Sequence, residues 1–515
     1  MKREKIIIGT LILTVATTSV RFVGMFFRIY LANTLGAEGI GLYQLVLSFY
    51  FLAVTLATAG IRVAISKLIS EQIAVGNYIN AKKVLHQSIA ISIFTGFTAG
   101  LLLYYFADYI GVHILNDKRT VLALMYLAPS LPIMAISNCY KGYFYALGKV
   151  TQPSIIQMSE QFVRIFLILY LMDTFLPKGL EYACAAIAIG MTAEEIFALF
   201  LVWFFYIFDK KPFSHKSSKK ADNMIFKILG ISIPLTATSN LNSILRTVEN
   251  TLIPSRLLLY GLSAETSISL YGMIKGMVLP ILFFPSSILT SLSSLLIPAV
   301  AGDNALANEK SVTRTLSQVI HFTAISGIFV VAVFVAFPNE IALAVYNDSQ
   351  VGLMIKLISY VCPFMYLNMV ISSMLNALGE QVSSFIVNII ESTLKISIIY
   401  FFVPVYGFNA YLFALFITTI LNTILYLIRL LQVSCIVFDI SNWIFKPVAA
   451  AGIAGFLAKN SYLLFVQNSS HHIISLISSI IILSLLYLMG LILFKSINLS
   501  SINLKKLYLH KLSNI

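Results

Sequence analysis

The sequence predicts an all-α polytopic membrane protein of about fourteen transmembrane helices, arranged as two parallel six-helix repeats plus two C-terminal helices. Three observations predict it. Hydrophobic residues make up 59% of the 515-residue chain, charged residues only 11%, and mean hydropathy is +0.90, whereas a soluble domain carries roughly 25% charged residues. The apolar runs are long and unbroken, as helices that cross lipid require, and lack the short alternation of a β-barrel. Finally, two stretches far apart in the chain repeat one another.

The apolar runs fall at about 6–31, 40–64, 85–107, 120–146, 153–173 and 181–208, then at 225–253, 267–298, 315–337, 351–377, 383–403, 407–432, 444–463 and 472–494. Each approaches or exceeds the roughly 20 residues that span a bilayer. Pro280, Pro285 and Pro298 predict a kinked or broken helix in the run 267–298. The N-terminal MKREK before an apolar run imitates a signal peptide, but the run outlasts an h-region and reads as a retained first span. With the N-terminus placed inside, the basic loop residues gather on the inner side: Lys82 and Lys83, the six lysines of 209–227, and Lys505, Lys506 and Lys511. Only Lys118, Arg119, Lys178, Arg256 and Lys459 fall outside. That bias predicts a cell-membrane protein with both termini cytoplasmic.

The polar segment "DKKPFSHKSSKKADNMIFK" divides the chain. The expected organisation is an N-terminal lobe at 1–208, a basic cytoplasmic linker at 209–227, a C-terminal lobe at 228–432, and two extra helices with a basic tail at 433–515. Residues 146–165, "ALGKVTQPSIIQMSEQFVRI", and 377–396, "ALGEQVSSFIVNIIESTLKI", align at an offset of 231, as do Pro132 and Pro363. An even number of spans per copy inserts both copies the same way up. Such repeats place a cavity between the halves, which suits alternating access.

The net charge of +14 is explained by cytoplasmic lysines and does not imply nucleic acid. The four cysteines, Cys139, Cys184, Cys362 and Cys435, lie in apolar runs without metal or disulfide spacing, and no metal or cofactor is expected. A nucleotide-binding GxxxxGK[ST] loop is absent.

Charges inside the spans carry the functional signal, since each costs about 2.5–3.5 kcal/mol at mid-bilayer. The basic set is Arg21, Arg28, Arg62, Lys141, Arg164, Arg246, Lys275, Lys356 and Lys395; the acids are Glu160, Glu194, Glu195, Glu249 and Glu391. Glu160 with Arg164, and Glu391 with Lys395, stand i,i+4 and are expected to pair as structural clamps or a symmetric gate. Arg246 and Glu249, spaced i,i+3, are expected to pair as well. Glu194 and Glu195 call for a cation on a neighbouring helix or bind a coupling cation. Lys356, Arg62 and Lys141 lie near span ends and can snorkel. Arg21, Arg28, Arg246 and Lys275 remain as candidates to line a wet cavity, with Glu249 and Arg62 beside them. Surplus cations there attract an anion, and arginine grips phosphate in two-pronged fashion. The reading is a pyrophosphate.

The stretches "TSVRFVGMFFRIYLANTLGAEGIGLYQ", "GIRVAISKLISEQIAVGNYINAKKVL" and "YKGYFYALGKVTQPSIIQMSEQFVRI" resemble the stage V sporulation protein B family, within the multidrug, oligosaccharidyl-lipid and polysaccharide exporter superfamily. The resemblance covers these stretches closely and the chain loosely; members often carry proline at the position of Arg62. It implies a transporter in spore formation, connected to cortex peptidoglycan, and kinship with flippases for undecaprenyl-pyrophosphate-linked precursors such as lipid II. In such a flippase, first-span arginines flanking a glycine line the cavity; Arg21, Gly24 and Arg28 resemble that arrangement, with one residue's difference in spacing. The two C-terminal helices resemble an extension that forms a groove for lipid tails. The expected partners are a lipid-linked anionic saccharide, membrane lipids and a coupling cation. The rival functions are a cation-coupled drug exporter of the same fold, a flippase for another polysaccharide lipid, a membrane enzyme on the same lipid, and a non-transporting scaffold. An exporter would want an acidic lumen, and an enzyme a large outer loop or a catalytic constellation. The sequence offers neither, so no enzymatic activity is expected.

Overall fold

A computed structural model describes residues 2–496 apart from 59, 210–222, 307, 435, 437 and 469–471. Most of the basic linker, the basic tail, Cys435 and His471 therefore lie outside the described residues. The described chain is helical, with no strand among its residues. Lipid leaves little choice: a backbone in hydrocarbon must satisfy its own N–H and C=O groups, and a helix does so within one segment.

In chain order the helices are α1 (Lys2–Thr58), α2 (Ile61–Ala74), α3 (Tyr78–Tyr105), α4 (Lys118–Ala146), α5 (Thr151–Phe175), α6 (Leu180–Phe208) and α7 (Ile225–Leu259). There follow α8 (Ala264–Phe283), α9 (Glu309–Ala336), α10 (Ser349–Ser359 and Cys362–Ala377, bent by 57°), α11 (Gln381–Tyr406), α12 (Phe408–Val433), α13 (Ser441–Gln467) and α14 (His472–Leu493). Among the described residues twelve helices are long and apolar enough to cross a membrane, or thirteen with the bent α10 taken as one span. Fourteen, the number expected from the sequence, requires the first of these, Thr18–Ala74, to cross twice. Its 57 residues would reach about 85 Å at 1.5 Å each, and Gly36 interrupts the helix at φ 69°, ψ −179°. The run 267–298 is broken as its prolines predict. It widens into π-helical turns at Met273–Val278, just ahead of Pro280, stops at Phe283, and resumes as Ser286–Ala305 beyond Pro285.

The chain clusters into two compact units, 1–277 with 392–411, and 278–391 with 412–515. In the first unit the helix after Gly36 lies against α8 at backbone contact. A Cβ added to Gly272 would stand 2.0 Å from the Ala37 carbonyl oxygen, one on Gly41 2.3 Å from that of Ile268, and one on Gly276 1.8 Å from Ile40. Ala37-x-x-x-Gly41 thus meets Gly272-x-x-x-Gly276, the small-residue crossing by which helices approach where no hydrophobic force drives them together. In the second unit Tyr487 of α14 donates to the Ile325 carbonyl of α9, tying the last helix to that bundle.

The duplication seen at offset 231 extends to backbone devices. Asn77 caps α3 by accepting from Asn80 N–H, and Asn308 caps α9 by accepting from Ser311 N–H. Asn116 and Asn347 are both left-handed, at φ 54° and 53°. Each precedes an aspartate whose side chain accepts a backbone N–H two residues on, Asp117 from Arg119 and Asp348 from Gln350. Gly148 and Gly379 are left-handed in the same turn. A Cβ on Gly96 would sit 2.7 Å from Pro132 Cα, and one on Gly327 2.7 Å from Pro363 Cα.

Gly272→Ala should lower the thermal midpoint of the purified protein, because overpacking a tight contact costs about 1–3 kcal/mol. Gly230→Ala in α7, where a methyl group meets nothing within 4 Å, should leave the midpoint unchanged or raise it.

Candidate functional site

Two clusters of charge form inside the first unit, on helices whose apolar composition would otherwise exclude them. The first joins α4, α5 and α6. Lys141 donates to Glu160 at 2.5 Å. Arg164 donates to Glu194 at 3.2 Å and to the side-chain oxygen of Gln161. Glu195 is 8% exposed, and its Oε2 has no hydrogen-bond partner. The Gln161 Nε2 is likewise buried and unpartnered. It looks onto α1, where a Cβ on Gly24 would lie 3.6 Å away. Gly24 thus opens the first helix towards this cluster, between Arg21 and Arg28. Both arginines are exposed. Tyr43, further along α1, lies in the electrostatic reach of Arg28, Arg164 and Glu194 together.

The second cluster joins α7, α8 and the middle of α11. Glu249, 9% exposed, accepts from Lys275 at 2.9 Å and faces Lys395 at 3.7 Å. Arg246, an exposed neighbour one helical turn away, adds its field to the same carboxylate. Next to this cluster α7 is pinned to α1. Thr247 donates to the Ser48 carbonyl at 3.0 Å, and Asn250 to the Ser48 hydroxyl at 2.9 Å. Three cations therefore surround one carboxylate.

Two of the helix-local pairings expected from spacing, Glu160 with Arg164 and Arg246 with Glu249, are corrected here. Glu160 takes Lys141 and Arg164 takes Glu194, each on a neighbouring helix. Glu249 takes Lys275 and Lys395 instead of Arg246. Lys395 also reaches across to Glu249, and Glu391 also accepts from Asn422 at 3.0 Å. A partner on another helix can shut water out on both sides, and i,i+4 geometry on one surface cannot. Lys141, expected to snorkel, is spent in the first cluster. Arg62, in the first turn of α2, is exposed and makes no ion pair among the described residues. No group of three His, Cys, Asp or Glu side chains suited to a metal occurs among them either.

The second unit holds a cavity of about 850 Å³. Val331, Val335, Phe364, Leu367, Val448 and Phe456 line its apolar body, on α9, α10 and α13. At one end stand Asn339, Lys356, and the ion pair of Lys459 with Glu340 at 2.6 Å. Sequence reading missed this cavity, Gln161 and the Glu340–Lys459 pair. Partners 119 residues apart leave no local pattern to read.

An all-helical bundle of membrane spans, with charge clusters buried in its interior, defines a polytopic membrane protein of the transport class. Residues 6–302 match the polysaccharide biosynthesis protein family, and the chain belongs to that family. It is 28% identical over 404 residues to stage V sporulation protein B of Bacillus subtilis (strain 168), covering 78% of each chain. It is 23% identical over 337 residues to the lipid II flippase MurJ of the same organism, covering 61% of each. Among solved structures, a lipid II flippase MurJ in an inward closed conformation superposes with a TM-score of 0.71 at 16% identity, covering 93% of this chain and 98% of that one. These relatives place the chain with membrane flippases and transporters, not with enzymes.

Glu249→Gln should sharply reduce the yield and thermal midpoint of the purified protein, since stripping the partner from a buried ion pair costs about 3–5 kcal/mol. The double change Glu249→Gln with Lys275→Gln should recover part of that loss, and comparing the melting curves reads both effects.

Proposed function

We propose that this protein flips an undecaprenyl-pyrophosphate-linked saccharide, a peptidoglycan precursor of the lipid II kind, across the cell membrane by alternating access. The observation that carries the reading is the excess of cation around Glu249. Arg246, Lys275 and Lys395 face one buried carboxylate, so the cluster can accept a further anion without assembling any new charge. Arg21 and Arg28 are exposed on spans that hydrocarbon should surround. Guanidinium groups there need water or an anion, and a pyrophosphate supplies two adjacent charges for their forked donors.

A pyrophosphate crossing lipid unaided would leave its charges unsolvated, at a cost on the order of tens of kcal/mol. A basic recess removes most of that barrier while the prenyl chain stays in an apolar environment. In this reading the duplicated lobes, 1–208 and 228–432, expose the head group to each side in turn. Both termini are cytoplasmic, and a membrane potential or a coupling cation drives the cycle. The stage V sporulation protein B relative supports a role in spore formation, and the lipid II flippase relatives support the cargo.

Purified protein in liposomes should move a fluorescent lipid II head group to the opposite leaflet, read by quencher accessibility. Arg21→Ala and Arg246→Ala should reduce that rate at least about tenfold, the loss of one charged hydrogen bond, while Arg21→Lys recovers only part. Transport equal to protein-free liposomes refutes the reading.

A further inference from the structure

The two clusters of the first unit are opposite in balance. Around Glu249 cations outnumber carboxylates, whereas across α4, α5 and α6 three carboxylates, Glu160, Glu194 and Glu195, meet two cations, Lys141 and Arg164. Both cations are already engaged, Lys141 by Glu160 and Arg164 by Glu194. Glu195 is left inside the bundle with a bare Oε2. No nearby hydroxyl is available to it. The Ser130 hydroxyl goes to the Leu127 carbonyl at 2.6 Å, so Tyr50 gives its own proton to Ser130 at 3.0 Å. Thr192 gives its proton to the Tyr126 carbonyl. An unpaired carboxylate buried in this way is prohibitively costly in its charged form.

We infer that Glu195 holds an exchangeable proton, and that the cluster takes this proton up when an anionic head group is captured at Arg28. The inference rests on the proposed anionic cargo and adds its coupling. The groups that act on Glu195 from the packed helices are Lys141 on α4, Glu160 and Arg164 on α5, Glu194 beside it, and Tyr50 on α1. Arg28 stands on α1, the helix onto which this cluster looks. It shares the surroundings of Tyr43 with Arg164 and Glu194, and the unspent Gln161 amide looks onto the same stretch of α1. With Arg28 free, its positive field favours an ionised cluster. An anion bound at Arg28 cancels that field, and a proton from the adjoining water adds to the carboxylate to give the neutral acid. Binding and protonation then reinforce each other reciprocally.

A proton suits the site better than a metal cation, because it needs a single lone pair and no three-ligand group exists among the described residues. The second repeat lacks the device. Counted from the left-handed glycines that precede α6 and α12, Gly179 and Gly407, Glu194 and Glu195 correspond to Asn422 and Thr423, both neutral.

Infrared spectroscopy of the full chain in nanodiscs tests the site without any ligand. The wild type should show the carbonyl stretch of a protonated carboxylic acid that titrates with pH, and Glu195→Gln should lose it. Glu194→Gln should lose it too, since Arg164 is then free to pair with Glu195; this second variant decides the matter if the first does not fold. Absence of the band in the wild type, or its persistence in both variants, overturns the inference. Calorimetry with farnesyl pyrophosphate, in buffers of differing ionisation enthalpy, tests the coupling. At a pH above the midpoint of the infrared titration, where the ligand-free acid is ionised, wild type should take up close to one more proton per pyrophosphate than Glu195→Gln, which cancels the ligand's own titration. Binding without that difference, or binding that follows sodium at constant pH, overturns the coupling. A band present in protein that binds no pyrophosphate upholds the proton site and overturns the cargo reading instead.

Discussion

Everything in this molecule answers to the cost of a charge in hydrocarbon. The charged side chains inside the apolar runs survive there only by finding opposite charge, a donor, or water. The structure resolves this by pairing across helices. Lys141 with Glu160 ties α4 to α5, Arg164 with Glu194 ties α5 to α6, and Lys275 and Lys395 gather α7, α8 and α11 around Glu249. These pairs do for the interior what the hydrophobic effect does in a soluble core, since lipid tails are as apolar as the side chains and give no net force between helices. Glycine crossings such as Gly41 with Gly272 and Gly276 supply the rest, by letting backbones touch.

Function comes from what the pairing leaves over. A perfectly balanced interior would be a structural lock, with nothing to offer a ligand. One cluster here is over-supplied with cations and suits phosphate. The other is over-supplied with carboxylates and suits a proton. Arg28 of α1 shares the electrostatic surroundings of Tyr43 with Arg164 and Glu194 of the carboxylate-rich cluster. In the proposed transport cycle these opposite imbalances serve the cargo and the proton.

Duplication explains which features recur and which do not. Turn and cap positions recur at the same offset, as with Asn116 and Asn347, Gly148 and Gly379, or the Gly96–Pro132 and Gly327–Pro363 contacts. They recur because a left-handed residue or a backbone approach admits few residue types. Charges have been free to diverge. Lys149 binds Asp209 in the first copy, while Glu380 in the same turn of the second is held by Arg429 at 2.7 Å. In that loop Ser383 and Arg429 hold the Glu380 carboxyl below its ordinary range. The interaction is kept and its polarity exchanged, because a pair works in either direction.

The sequence by itself determined the membrane class, the helical architecture, the duplication and the roster of buried charges, since hydropathy, helix length and repetition are all local properties. It located Arg21, Arg28 and Lys275 as span residues with no acid three or four places away, and the broken run around Pro280 and Pro285. Tertiary structure alone decided who pairs with whom. Spacing suggested Glu160 with Arg164 and Arg246 with Glu249, yet both acids turn to other helices. Only folding could show that Glu195 is left bare, that Gln161 looks onto Gly24, or that Lys459 meets Glu340 at the end of an apolar cavity. The reason is physical. Periodicity reports which side of a helix a charge occupies, whereas the dielectric and the partner it meets are set by chain that lies tens or hundreds of residues away.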